Sequence, residues 1–204
     1  MKNSHGSKDN QPILSVRGLK VYFPIVGSGL FSKTIPLKAV DGIDFDLYGG
    51  ETLGVVGESG CGKSTLGRGI LQLLEPTEGT VVWLGEHIEG LPAGKMIQYR
   101  KQLQIIFQDP LASLNPRMTI GDIIAEPLTV HCPELSADEK KQKVREIMER
   151  VGLLPLMINR YPHEFSGGQC QRIGVARAMI LEPKLIVCDE PVSALDVSIQ
   201  AQII

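Results

Sequence analysis

The chain has 204 residues, of which 43% are hydrophobic and 22% charged, a composition that supports a packed core and excludes wholesale disorder. The formal net charge is −2 at pH 7, so the markedly basic composition of many nucleic-acid-binding domains is lacking and no nucleic-acid partner is expected. No apolar run approaches the roughly 18 residues of a membrane-spanning helix. The four cysteines form no Cys-x-x-Cys pair, which favours reduced thiols of a cytosolic protein over a disulfide framework.

Apolar patterns predict six short strands in the chain. Residues 1–12 are mostly polar and predict a flexible tail. A Gly- and Ser-bearing loop around residues 27–33 suits a hairpin, and the nearly all-apolar run at 52–56 favours a strand covered on both faces. The predicted strands are Ile13–Val16, Ile43–Leu47, Thr52–Val56, Thr80–Leu84, Gln104–Phe107 and Leu185–Cys188.

Helical spacing and capping signals predict the helices between these strands. One helix is expected over Ser64–Leu74, stopped by Glu75 and Pro76, and a short one near Ile120–Ala125. Ser136 and Glu139 form a capping box for a third helix that Gly152 ends. A fourth follows Ser166 and extends to about Leu181. Alternating strands and helices predict an α/β sheet, with residues 110–181 as a helical insertion.

The residues after the third predicted strand form a glycine-rich phosphate-binding motif, G-x-x-x-x-G-K-[ST], immediately before a predicted helix. Glycines allow backbone N–H groups to converge on phosphate oxygens, and the helix presents its positive end. Lys63 is expected to bridge the terminal phosphates, and the Ser64 hydroxyl to bind Mg²⁺. The alternative is a chance match, which the strand–loop–helix context disfavours. The motif comprises Gly57, Glu58, Ser59, Gly60, Cys61, Gly62, Lys63, Ser64 and Thr65.

An acidic pair follows the last predicted strand. Asp189 and Glu190 are expected at the carboxyl edge of the sheet, where ligands bind in open α/β folds. Asp189 suits a Mg²⁺ contact through water, and Glu190 suits a base that polarises an attacking water. Such a pair can also be a solvated strand end, but a phosphate loop in the same chain favours the catalytic interpretation.

A second anion site is predicted where Ser166, Gly167 and Gly168 open a helix within Phe165–Gln169. The alternative is an ordinary helix N-cap. Two anion sites and one acidic pair in a single chain favour two copies that share a nucleotide.

These motifs, in this order, resemble those of ATP-binding-cassette (ABC) transporter ATPase subunits. Phe165–Gln169 is similar to the family's signature motif and Leu185–Glu190 to its Walker B motif. Gln108 matches the Q-loop, and Asp196, in Ser193–Asp196, matches the D-loop. Segments 108–117 and 160–165 resemble the oligopeptide/dipeptide importer branch, and within it the F-type subunits of oligopeptide permeases.

The resemblance implies a P-loop NTPase core sheet of the α/β class, formed by residues 13–204, with a helical subdomain at about 110–181. It implies ATP and Mg²⁺ as cofactors and a second ATPase subunit, usually non-identical, that shares two ATP molecules with this one. It also implies two membrane permease subunits, a periplasmic or extracellular peptide-binding protein, and a peripheral position at the cytoplasmic face of the cell membrane. The peptide preference is not set by these residues.

The resemblance also implies site roles. Ser166, Gly167, Gly168 and Gln169 would contact the γ-phosphate bound by the partner. Gln108 would sense Mg²⁺ or water and relay to the pore, and Asp196 would couple the two sites. Phe23 is the preferred aromatic for stacking the adenine and Tyr22 the alternative, although either also fits a core position.

In the family, a switch histidine and a further strand follow the D-loop, and the sequence stops at Ile204 before them. The implied expectation is an incomplete domain without its C-terminal strands, poorly stable and inactive as residues 1–204. His131 and His163 are expected to be exposed or structural. Two other functions remain as alternatives: a soluble ABC-type ATPase and a non-hydrolysing nucleotide-binding module.

Overall fold

A computed structural model describes residues 11–25 and 35–189. They belong to two compact units, one that ends at Pro92 and one that begins at Ala93. The division predicted from the sequence, a single ATP-binding domain with a helical subdomain at about 110–181, stays a prediction.

The first unit contains a four-stranded antiparallel sheet. Its strands β1 (Leu14–Ile25), β2 (Ile35–Leu47), β3 (Glu78–Trp83) and β4 (Glu86–His87) lie in the order β2-β1-β3-β4. The ends of β1 and β2 pair at Ile25 and Ile35, which confirms the predicted hairpin, while its loop lies outside the described residues. Fully buried side chains form the interior of this unit, among them Val16, Leu19, Val81, Trp83 and Ile88.

The predicted strand Thr52–Val56 is wrong. Residues 51–58 have no strand pairing, and Val56 is 93% exposed. An apolar segment becomes a strand only where a neighbouring strand supplies ladder hydrogen bonds. Within the described residues no strand runs beside this segment.

Helix α1 (Lys63–Ile70) is shorter than predicted. The Gln72 backbone and side chain both donate to the Gly69 carbonyl, at 3.1 and 2.8 Å. Gln72 has a φ of 53°, a left-handed conformation that a continuing helix does not allow. The helix therefore ends before the predicted stop at Glu75 and Pro76.

The second unit combines a parallel strand pair with helices. Strands β5 (Leu103–Ile106) and β6 (Leu185–Cys188) pair in parallel, with Ile106 opposite Cys188. The helices are α2 (Ala93–Arg100), α3 (Ile120–His131), α4 (Ala137–Arg150) and α5 (Gly167–Met179), with 3₁₀ turns at Pro155–Met157 and Pro162–Glu164. Strand β6, expected to be buried, is half-buried, and Cys188 is exposed.

Helices α3, α4 and α5 surround one apolar core. Ser136 and Glu139 form the expected capping box of α4, and Gly152 lies just beyond its end with a φ of 71°. Helix α3 is longer than predicted and continues through Pro127. Burial of Ile124 and Leu128 on its core-facing side outweighs the local cost of the proline.

Helix α2 and strand β4 were not predicted. Within α2 only Met96 is buried, so the sequence there carries almost no apolar periodicity. Strand β4 consists of two exposed residues, Glu86 and His87. Both elements lack the apolar spacing on which sequence prediction depends.

Candidate functional site

The phosphate-loop motif leads directly into helix α1. Gly62 is the N-cap residue, with a φ of 101°. A Cβ atom at this position would lie 2.1 Å from the carbonyl oxygen of Ala39 on β2. Glycine is therefore required here, both for the left-handed backbone and for the close approach of the loop to the sheet.

The Lys63 ammonium group lies against this same loop. Its Nζ donates to the carbonyl oxygens of Gly57, at 2.9 Å, and Glu58, at 3.0 Å. The Cys61 N–H also donates to the Glu58 oxygen, at 3.3 Å. Ser64 and Thr65 follow in the first helical turn and are half-buried. A fixed cation at a helix N-terminus is an arrangement suited to phosphate.

The two aromatic candidates for adenine stacking differ in their surroundings. The Tyr22 hydroxyl donates to Asp41, and this hydrogen bond raises the pKa of the phenol. The Lys38 ammonium lies 5.4 Å from the centre of the Tyr22 ring. Phe23 is 37% exposed. Tyr22 is thus engaged by charged neighbours, whereas Phe23 presents part of its ring to solvent.

Gln108 and Asp189 lie at the carboxyl edge of the parallel strands. The Asp189 N–H donates to the Ile106 carbonyl oxygen at 2.9 Å, so β6 delivers Asp189 beside the end of β5. Asp189 is 7% exposed, and Gln108, shortly after Ile106, is exposed. Two oxygen-bearing side chains are thereby placed at one sheet edge, where parallel strands commonly bind ligands. Glu190 and Asp196 lie outside the described residues.

The predicted second anion site begins helix α5. The Ser166 hydroxyl accepts from the Gln169 N–H at 3.3 Å, and the Gln169 side chain accepts from the Ser166 N–H at 3.0 Å. These bonds form a capping box. Ser166 and Gly167 are exposed, and a Cβ on Gly167 would meet nothing within 4 Å. The ordinary N-cap is therefore present, in a form that leaves the helix start accessible.

Two residues of α5 were not singled out from the sequence. Arg177 donates from Nη1 to the Ser113 carbonyl oxygen at 2.7 Å, and Gln171 is only 2% exposed. The sequence carried no signal that separates these two side chains from the other polar residues of the helix, Gln169 and Arg172.

His163 and His131 differ in their surroundings. His163 is exposed and stacks on Tyr161, with ring centres 5.8 Å apart. Partial burial and the nearby Lys101 and Arg100 lower the pKa of His131.

Among the described residues, no three His, Cys, Asp or Glu side chains form a possible metal cluster. In the same part of the chain, no helix has the length and apolar character needed to cross a membrane.

The chain belongs to the ABC transporter family, because the family model of that description matches residues 40–193. It is 62% identical over 200 residues to an oligopeptide transport ATP-binding protein, OppF, of Haemophilus influenzae, covering 97% of this chain and 60% of that protein. OppF of Salmonella typhimurium is 61% identical over 194 residues, covering 94% of this chain and 58% of the relative. The chain thus spans about three fifths of the length of these curated relatives.

Solved structures of ATP-binding cassettes are similar in fold to this chain. A dimeric ATP-binding cassette in a post-hydrolysis state, bound to ADP and Pi, matches with a TM-score of 0.83 and 26% identity, covering 93% of this chain and 79% of that chain. A dimeric bacterial ABC transporter cassette matches with a TM-score of 0.84 at the same identity and coverage. The predicted α/β fold of a P-loop ABC ATPase is confirmed.

Proposed function

We propose that this chain is the ATP-binding and ATP-hydrolysing subunit of an ABC importer for oligopeptides or dipeptides. The observation that carries the proposal is the phosphate loop opening α1, in a chain 62% identical to a protein named for oligopeptide transport. The names of the relatives do not favour a soluble cassette ATPase or a non-hydrolysing module. The ATP-binding domain is proposed to begin at residue 13, with its helical subdomain at about 110–181.

Residues Gly57–Thr65 would hold the ATP phosphates. The Lys63 ammonium, which now donates to the Gly57 and Glu58 carbonyls, would exchange these acceptors for phosphate oxygens. Such charge-assisted hydrogen bonds are roughly twice as strong as neutral ones. Phe23 would stack the adenine, which its partial exposure supports.

The residues assigned to Mg²⁺ fit that ion chemically. The Ser64 hydroxyl, the Gln108 amide oxygen and the Asp189 carboxylate are hard oxygen donors, and Mg²⁺ prefers such ligands and retains several waters. When bound, the ion neutralises charge on the phosphates. Glu190 would accept the proton of the attacking water, and Gln108 would help to orient that water.

The motif of Ser166, Gly167, Gly168 and Gln169 would contact the γ-phosphate held by a second ATPase subunit. The accessible capping box supports this role, because anions bind at helix starts of this kind. Asp196 would couple the two sites. The second subunit would be a non-identical relative, and the pair would serve two membrane permeases and a periplasmic or extracellular peptide-binding protein. The subunit would lie peripherally on the cytoplasmic face of the membrane.

The test compares nucleotide binding with turnover in the full protein. Glu190→Gln keeps the side-chain shape but cannot accept a proton, so we expect ATP binding near wild type and nearly abolished hydrolysis. Lys63→Ala should weaken ATP binding itself, measured by calorimetry, while Lys141→Ala on exposed α4 should change neither property. Wild-type turnover by Glu190→Gln, or wild-type affinity in Lys63→Ala, would contradict the proposal.

A further inference from the structure

Gln171 is a buried amide on the helix that follows the signature motif. Its side chain is 2% exposed, and Nε2 has no hydrogen-bond partner among the described residues. An unsatisfied buried donor costs stability, and native proteins contain few of them. A polar residue at this position therefore calls for an explanation beyond packing.

The neighbours of Gln171 on its helix face identify which surface it approaches. Val175 and Ala178 lie on the same face at helical spacing and form one apolar cluster with Ile106 of β5, and Ile186 of β6 packs against this cluster. Helix α5 and strand β6 are joined by a short connection, so they run in opposite directions. The start of α5 therefore lies nearer than Val175 to the carboxyl ends of β5 and β6.

The spacing places Gln171 at the level of the candidate metal-binding carboxylate. One helical turn, about 6 Å, separates Val175 from Gln171. Two strand residues cover about the same distance. Ile106 is level with Cys188, and the Asp189 N–H donates a hydrogen bond to the Ile106 carbonyl oxygen. Gln171, one turn from Val175 toward the start of α5, is thus level with the sheet edge at which Gln108 and Asp189 lie.

We propose that Gln171 is a positioning residue whose Nε2 donates a hydrogen bond to an oxygen of Asp189 when the subunit holds Mg²⁺ and nucleotide. The inference rests on the proposed function and extends it. The amide touches neither nucleotide nor metal. It fixes the direction of the buried Asp189 group, as a hydrogen-bonded neighbour commonly does for a metal-binding carboxylate.

The test measures affinity for a non-hydrolysable ATP analogue by calorimetry in the full protein, with Mg²⁺ and with a chelator. Gln171→Met removes the donor and keeps the side-chain length. We expect about tenfold weaker binding with Mg²⁺ and unchanged binding without it, the size of effect typical for a hydrogen bond to a charged group. Gln142→Met is the matched control, because Gln142 is an exposed glutamine on α4.

Two further variants keep the test decisive. Gln171→Glu retains the shape but places a second carboxylate near Asp189, so its Mg²⁺-dependent loss should exceed that of Gln171→Met. In an Asp189→Asn background, Gln171→Met should add little further loss if the two residues act together. The ligand-free Gln171→Met protein should melt no lower than wild type, since the unpaired amide is gone.

Several results would overturn the inference. Mg²⁺-dependent affinity unchanged in Gln171→Met or Gln171→Glu would make the amide a packing residue only. An equal loss with and without Mg²⁺ would place its effect on the fold rather than on Asp189. If the wild-type protein binds the analogue no better with Mg²⁺ than without, the proposed function and this inference both fail. If Mg²⁺ strengthens analogue binding to the wild-type protein and the Gln171 variants show the same strengthening, only the inference fails and the proposed function stands.

Discussion

Arg177 donates a hydrogen bond from Nη1 to the Ser113 carbonyl oxygen, 2.7 Å away and 64 positions earlier in the chain. Ser113 belongs to the turn that follows Gln108, and its own hydroxyl donates to the Pro110 carbonyl at 2.8 Å. The bond therefore joins the turn after Gln108 to helix α5.

We expect Arg177→Met to lower stability by about 1–3 kcal/mol, because a partly buried carbonyl loses a charged donor. Thermal unfolding of the purified protein measures the change. Arg145→Met on the exposed side of α4 is the control and should melt like wild type. An Arg177→Met protein that melts at the wild-type temperature would show that the hydrogen bond has no net stabilising effect.

Substitution of Gly62 should damage the phosphate loop. A Cβ there would meet the Ala39 carbonyl oxygen at 2.1 Å, and the φ of 101° is strained for any other residue. We expect Gly62→Ala to lose most ATP affinity in a calorimetric titration. Gly60→Ala also has a positive φ but no neighbour within 4 Å, so it should lose much less. Similar losses in both variants would rule out the close contact as the cause.

Ser166→Arg tests the shared site. The capping box would lose its hydroxyl, and a long cation would project from the helix start that the proposal places against the partner's nucleotide. We expect ATP binding at this subunit's own loop to stay near wild type, and hydrolysis by the assembled pair to fall strongly. Calorimetry on the subunit and turnover by the pair separate the two effects. Loss of binding at the subunit's own loop would contradict a shared site.

Val56 lies in an apolar segment whose side chains are exposed to solvent. Its side chain is 93% exposed, and Leu53 and Val55 beside it are about half exposed, at 48% and 50%. We expect residues 1–204 to bind a hydrophobic dye, and Val56→Lys to reduce that fluorescence without lowering the melting temperature, since little burial is lost. Leu156→Lys, at a 75% exposed position outside this segment, is the control. A lower melting temperature in Val56→Lys would mean that Val56 is buried in solution.

The sequence by itself determined the features that depend on short, continuous segments. The capping box predicted at Ser136 formed, and Ser166, for which an ordinary N-cap was the alternative interpretation, also begins its helix with one. Each needs only a hydroxyl and an acidic or amide side chain three residues later. The phosphate-loop motif also opened a helix as predicted, although the N-cap there is Gly62 in a left-handed conformation and no side chain caps the helix. The family followed from the order of these motifs, and the match over residues 40–193 confirmed it.

Only the tertiary structure decided the features that require a distant partner. The apolar run Thr52–Val56 has strand-like composition, yet β-structure needs ladder bonds from another segment and none lies beside it in the described chain. Helix α3 passes Pro127 because burial on its core side outweighs the local signal. The bond from Arg177 to Ser113 and the burial of Gln171 depend on contacts between remote segments, which local periodicity does not contain.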